Sequence, residues 1–280
     1  DKLTMSGDKL TMQLQCTTLC RRCEILGRQG YPVRMGGENI TSMSGRRGIQ
    51  GETPKILRFA QNDIQLQERQ MIVRPMVVGP MAENAYIVGS EETGECAIID
   101  PGAESGRILE EVERLGLTVK LILNTHGHGD HIGGVAAIKE ATGAIYAIHE
   151  GDVPLLRRSD PWAMHVVLDF KTPPEPDMYV KGGDIIEVGD VKLTVIETPG
   201  HTRGGVCYYG DGVVVTGDTL FQGSIGRSDS PEGNGRLLIH SIMMKLMVLP
   251  AGTRVYPGHG PDSTIAREKL INPFLRGGLL

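Results

Sequence analysis

Along residues 71–280, apolar and polar positions fall into short blocks cut by glycines, and the period changes as the chain advances. Residues 71–79 (MIVRPMVVG), 84–89 (NAYIVG) and 96–100 (CAIID) are runs of strand length, rich in β-branched side chains. Residues 105–115 switch to helical spacing, and 119–123 form an apolar strand that runs straight into Asn124, Thr125 and His126. Further strands are predicted at 144–148, 192–197, 206–209 and 212–216, and further helices at 133–141, 236–248 and 263–270. Strands first, then strands mixed with helices, predict a sheet-rich α/β sandwich with its site on the loops at the strand ends.

The first 70 residues do not share this order. DKLTM at residues 1–5 recurs at 8–12, and neither the helical nor the strand period then persists. The expected organisation is an N-terminal extension over 1–70, non-native or disordered, followed by one domain over 71–280 with Met71 as its natural start.

Composition narrows the class. The 38 glycines are nearly twice the average share of about 7%, which suits a fold whose loops bring backbone close to a site. The net charge of −5 conceals an asymmetry: residues 1–70 hold 11 Lys+Arg against 7 Asp+Glu, and residues 71–280 hold 18 against 27. A domain this acidic lacks the basic face that nucleic-acid binding needs. No apolar run reaches the roughly 18–20 residues that span a bilayer. Of the five cysteines only Cys96 and Cys207 fall in the main domain, so no disulfide framework is expected and the setting reads as reducing and cytoplasmic. Cys16, Cys20 and Cys23 have a spacing similar to that of radical enzymes with an iron–sulfur cluster, but nothing downstream reads as the barrel those enzymes need. They are taken as incidental.

The chemistry concentrates in histidines. His126, His128 and His131, with Asp130 among them, form an H-x-H-x-D-H run that leaves its strand through glycines. Imidazole nitrogen and carboxylate oxygen are the ligands that zinc, iron and manganese accept. Three further Gly-punctuated loops, each after an apolar strand, present His201 (IETPGHT), Asp218 (VVVTGDT) and His259 (VYPGHG). Any one of these alone reads as a loop or capping residue; the ordered set points to a metal centre.

Together with GDTLF at 217–221 and GSIGRSD at 223–229, these motifs resemble the metallo-β-lactamase superfamily, and within it the glyoxalase II (hydroxyacylglutathione hydrolase) branch. The tail, with INPFL at 271–275, is similar to a short bacterial subgroup lacking the C-terminal helical domain. The resemblance implies an αββα sandwich and a dinuclear site. His126, His128 and His201 are then expected to hold the first metal, Asp130, His131 and His259 the second, and Asp218 to bridge both. Two divalent ions are implied, zinc first, with iron and manganese accepting the same ligands. Zinc lowers the pKa of bound water to about 7, and two metals about 3.5–4 Å apart can clamp the attacking and departing atoms. The implied reaction is hydrolysis of a small-molecule thioester, hydroxyacylglutathione or a related acyl-thiol, with Asp130 and Asp218 as catalytic carboxylates. Arg227 stands where relatives place a cation against the substrate carrier, and Asp100 (IDPG) where they brace the metal loops from behind. Asp229 replaces an aromatic residue of many glutathione-specific relatives, which points away from glutathione itself. The competing readings are a mononuclear iron persulfide dioxygenase and a lactonase on the same scaffold. His149 is expected to be structural, and His240, on a predicted helix, to be exposed or packed. His165, near Trp162, is expected to pack at the surface in a segment that could act as a lid.

Overall fold

The computed structural model describes residues 71–157 and 170–276. The 1–70 extension with its three cysteines, and the segment holding Trp162 and His165, lie outside the described residues.

Strands β1 (Met71–Val78), β2 (Glu83–Ser90), β3 (Glu95–Ile99), β4 (Thr118–Leu123), β5 (Ile145–His149) and β6 (Met178–Val180) form one sheet in that order. A second six-stranded sheet runs β14 (Ser263–Thr264), β13 (Arg254–Pro257), β10 (Val213–Gly217), β9 (Val206–Gly210), β8 (Val191–Glu197) and β7 (Ile185–Val188). The small β11 (Leu220–Phe221) and β12 (Ser224–Ile225) pair separately. In the first sheet β3 to β6 are parallel, and in the second β10 and β13 are parallel.

Side-chain alternation explains why the central strands read as continuous apolar runs. In β3, Ala97 and Ile99 pack between the sheets with Leu121, Leu123, Val195 and Tyr208. Cys96 and Ile98 point the other way, onto Ile108 and Val112 of α1 (Ser105–Arg114) and Val135 and Ile138 of α3 (Val135–Thr142). A strand buried on both faces needs no polar position. The second sheet is covered likewise by Leu238, Ile242, Leu246 and Ile265 against Cys207, Val214 and Val255. Helix, sheet, sheet, helix is the expected αββα sandwich. Truncating a fully buried Ile or Leu such as Ile98 or Leu123 to Ala would cost about 2–5 kcal/mol, so the strands that launch the functional loops are a stiff base.

The elements depart from expectation mostly at helix starts. The 133–141 prediction corresponds to α3, which starts only after a break at Gly133–Gly134; a short α2 (Gly129–Ile132) before it and a short α4 (Val153–Arg157) after β5 were not predicted. The 236–248 helix is α-helical only as α5 (Gly235–Ser241) and then widens into a π-helix, Ile242–Leu246. Ser263 and Thr264 belong to β14; Thr264 caps α6 (Ile265–Ile271) by accepting from the Arg267 N–H. The four-residue β7 escaped notice because Ile185 is exposed and Ile186 buried, an alternation too short to register.

Candidate metal centre

Four loops leave the carboxyl ends of β4, β8, β10 and β13, and these carry the seven candidate ligands. The buried Asp100, just beyond β3, holds the first loop. It adopts a left-handed backbone (φ 52°), which Asp tolerates better than most residues. Its carboxylate accepts from the Thr125 N–H at 2.7 Å, the Thr125 hydroxyl at 2.6 Å and Asn124 Nδ2 at 3.2 Å. Its Oδ2 also lies 3.1 Å from His131 Nδ1, leaving His131 Nε2 turned toward Asp218. A fixed Nδ1 partner sets which imidazole nitrogen is free to act as a donor to a cation.

The side chains converge as two groups. In one, His128 Nδ1 lies 3.1 Å from His126 Nε2 and 2.9 Å from His201 Nε2. In the other, Asp130 Oδ2 lies 3.2 Å from His259 Nε2 and 3.8 Å from His131 Nε2. Asp218 stands between them. Its Oδ2 is 3.5 Å from His201 Nε2, while its Oδ1 is 3.4 Å from His131 Nε2 and 3.7 Å from His259 Nε2. Tetrahedral ligands about 2.0–2.1 Å from zinc sit about 3.3 Å from one another, so both groups have coordination spacing. His131 Nε2 and Asp218 Oδ1 are buried and lack a hydrogen-bond partner. Buried polar atoms aimed at a common centre are costly without a ligand, and this donor set fits a pair of divalent cations.

Close packing of backbone permits the convergence. A Cβ at Gly258 would sit 2.3 Å from Asp218 Oδ1 and 2.8 Å from His131 Cε1, so only glycine lets the His259 loop approach.

The electrostatics also suit cations. Burial and then the neighbouring imidazoles hold His126 well below its ordinary value. Burial, followed by His201 and His131, brings His128 down to about 4. Both rings are therefore neutral electron-pair donors at neutral pH. Burial works to raise Asp130 and Asp218, but the surrounding histidines outweigh it and hold both carboxyls below the usual range. Burial works to lower His131 and His259, and their carboxylate neighbours more than reverse it. The second group's carboxylates draw positive charge toward themselves.

All seven candidate ligands are thus brought together. Arg227 is not brought in by its side chain, which is exposed and paired with Asp229 at 3.3 Å. Its backbone oxygen instead accepts from His201 Nδ1 at 2.6 Å. His149 ends β5 and bonds Glu197 and the Gly151 N–H, away from the cluster. His240 lies on α5.

Several surrounding residues escaped the sequence reading. Asn84 Nδ2 donates to the oxygens of Pro257 and Gly260, both at 2.9 Å, and the Tyr86 hydroxyl donates to Pro257 at 2.6 Å, pinning the His259 loop. Glu83 is buried 3.7 Å from His131 Nδ1, and burial holds its carboxyl well above the usual range. Asp152 is fully buried behind the first loop. Its signal was available: like the candidate ligands, it follows a strand and a glycine.

The sequence pattern of the Metallo-beta-lactamase superfamily matches residues 78–259. The chain belongs to that superfamily. It is 37% identical over 207 residues to the probable metallo-hydrolase YqgX of Bacillus subtilis, covering 73% of this chain and 97% of that protein. It is 35% identical over 209 residues to the hydroxyacylglutathione hydrolase GloC of Haemophilus influenzae, covering 73% and 98%. Among solved structures, TTHA1623 in a di-iron-bound form superposes with a TM-score of 0.66 at 38% identity, covering 72% of this chain and all of that one. These similarities support a glyoxalase II-like branch within the superfamily.

Proposed function

We propose that this metallo-hydrolase is a dinuclear thioester hydrolase of glyoxalase II type, acting on hydroxyacylglutathione or a related acyl-thiol. The observation that carries the reading is Asp218, which offers one oxygen to each ligand group. In this assignment His126, His128 and His201 would hold the first ion, Asp130, His131 and His259 the second, and Asp218 would be shared by both. Zinc is the first choice of metal; the di-iron form of TTHA1623 makes iron the alternative.

Once bound, the ions supply a hydroxide at neutral pH and an electrophile for the thioester carbonyl. The protein's own contribution is placement. Asp100 fixes His131, and the Arg227 carbonyl fixes His201, so each ring presents Nε2 inward. Asp130 stays ionised, with its Oδ2 turned toward His259 and His131, so this catalytic carboxylate would keep its negative charge at the second ion. No side-chain nucleophile is needed: burial pushes Cys96 up to about 12 and Cys207 to about 11, which leaves both thiols unreactive. Such free, buried thiols suit a cytoplasmic setting. No helix among the described residues is long and apolar enough to cross a membrane. The similarity to GloC supports the thioester.

The test is metal analysis of the purified chain with a kinetic panel of acylglutathiones, other acyl-thiols and lactones, plus oxygen uptake with glutathione persulfide. Two metals and thioester turnover are expected. One iron with oxygen consumption, or two metals with lactone cleavage only, overturns the proposal.

A further inference from the structure

Asp152 lies at the end of a 3-10 turn, Glu150–Asp152, that follows β5, and none of its side chain reaches solvent. Its two carboxylate oxygens tie together loops from different sheets. Oδ2 accepts from the Gly127 N–H at 3.0 Å and from the Thr202 hydroxyl at 2.7 Å; Oδ1 accepts from the Gly204 N–H at 2.6 Å. Gly127 separates His126 from His128, and Thr202 follows His201. The three histidines of the first group therefore sit on two strips of backbone that share this carboxylate.

The packing leaves little slack. A Cβ at Gly204 would come within 2.6 Å of the Asp152 nitrogen and 2.9 Å of its Cγ, and one at Gly127 would lie 3.0 Å from its carbonyl oxygen. The second group is braced elsewhere. Asn124 Nδ2 donates to the His131 carbonyl at 2.8 Å, and Asn84 and Tyr86 hold the His259 loop. Both oxygens of Asp152 face donors only. An amide in its place, in either orientation, would set an NH2 against a backbone N–H.

We propose that Asp152 is the positioning residue for the first ion: it locks the His126–His128 and His201 loops in register and sets that ion's affinity without affecting the second. The proposal rests on the ligand assignment above. Supporting partners of this kind typically govern metal affinity by about 10–100-fold.

The test measures zinc affinity by chelator competition on the full chain, in backgrounds that isolate each ion. In His259→Ala, which cripples the second group, adding Asp152→Asn should weaken the remaining zinc by about 10–100-fold. In His128→Ala, which cripples the first, Asp152→Asn should leave the remaining affinity unchanged. Thr202→Val, which removes one of the three bonds and should fold without difficulty, should weaken the first ion alone by a smaller factor. A general loss of structure would weaken both ions together. Equal weakening in both backgrounds, or none in His259→Ala for either variant, overturns the role of Asp152 while leaving two zinc ions in the parent chain. A parent chain that binds fewer than two ions overturns the ligand assignment and this inference with it.

Discussion

His201 donates from Nδ1 to the backbone oxygen of Arg227 at 2.6 Å, while the Arg227 guanidinium reaches outward to Asp229. One residue thus supports a candidate ligand through its main chain and meets solvent through its side chain. Arg227→Ala keeps the carbonyl, so metal content should be unchanged. If the guanidinium grips the carrier, KM should rise by about 10–100-fold, since charged hydrogen bonds are worth about 1.5–3 kcal/mol. The exposed pair with Asp229 contributes about 0–1 kcal/mol, so the melting temperature should barely move. A variant with lost metal would show that the loop, not its main-chain oxygen, needs arginine.

Asp218→Ala removes the single carboxylate that faces both ligand groups. Turnover should fall by more than about 100-fold, beyond what the loss of a mere supporting partner costs. Steady-state kinetics and metal stoichiometry check this together. A fully active variant refutes the bridge.

His128 gives a pH signature in protein stripped of metal. Its folded value is depressed to about 4 from 6.5, so below about 6.5 the unfolded chain binds a proton that the folded chain refuses. Its contribution to stability is intact above 6.5 and is lost as pH falls from there to about 4. His128→Ala should flatten that decline, measured as urea midpoints at pH 7 and pH 4.5. His131 and His259 act with the opposite sign, because their raised values favour the folded state at lower pH. Because the charge on His128 acts on His131 and Asp130, the sign of the difference between variant and parent, not its size, is the readout. An unaltered slope would mean that His128 is not buried in its neutral form.

Residues 71–280 alone should fold and bind both metals, since the described cores and all seven candidate ligands fall after Met71. Circular dichroism and metal analysis of that fragment decide it. Loss of the melting transition would assign residues 1–70 a structural part.

The sandwich was legible because Cys96–Ile99 of β3 and Leu121–Leu123 of β4 are buried on both faces and so spell out short apolar runs. The candidate ligand loops were legible because glycine, histidine and aspartate crowd after each strand. Asn84 and Tyr86 were not legible, because their work is done across gaps of 173 and 171 residues to Pro257; Asp152 follows a strand and a glycine as the candidate ligands do, but its partners Gly127 and Gly204 lie in other loops. Spacing along a chain reports which residues share a loop, and it is silent on which buried carboxylate or amide lies beneath that loop. The same limit hid the second use of Arg227, since a main-chain acceptor leaves no trace in residue identity.

The histidine and aspartate loops depart from opposite halves of the sandwich: β4 launches His126, His128, Asp130 and His131, while β8, β10 and β13 launch His201, Asp218 and His259. Any cation gripped by either trio is therefore also a rivet through the interface between halves. At free metal 100 times the dissociation constant, one such rivet adds about 2.7 kcal/mol against unfolding, so starving the protein of metal should loosen the seam between the two sheets as well as silence its chemistry.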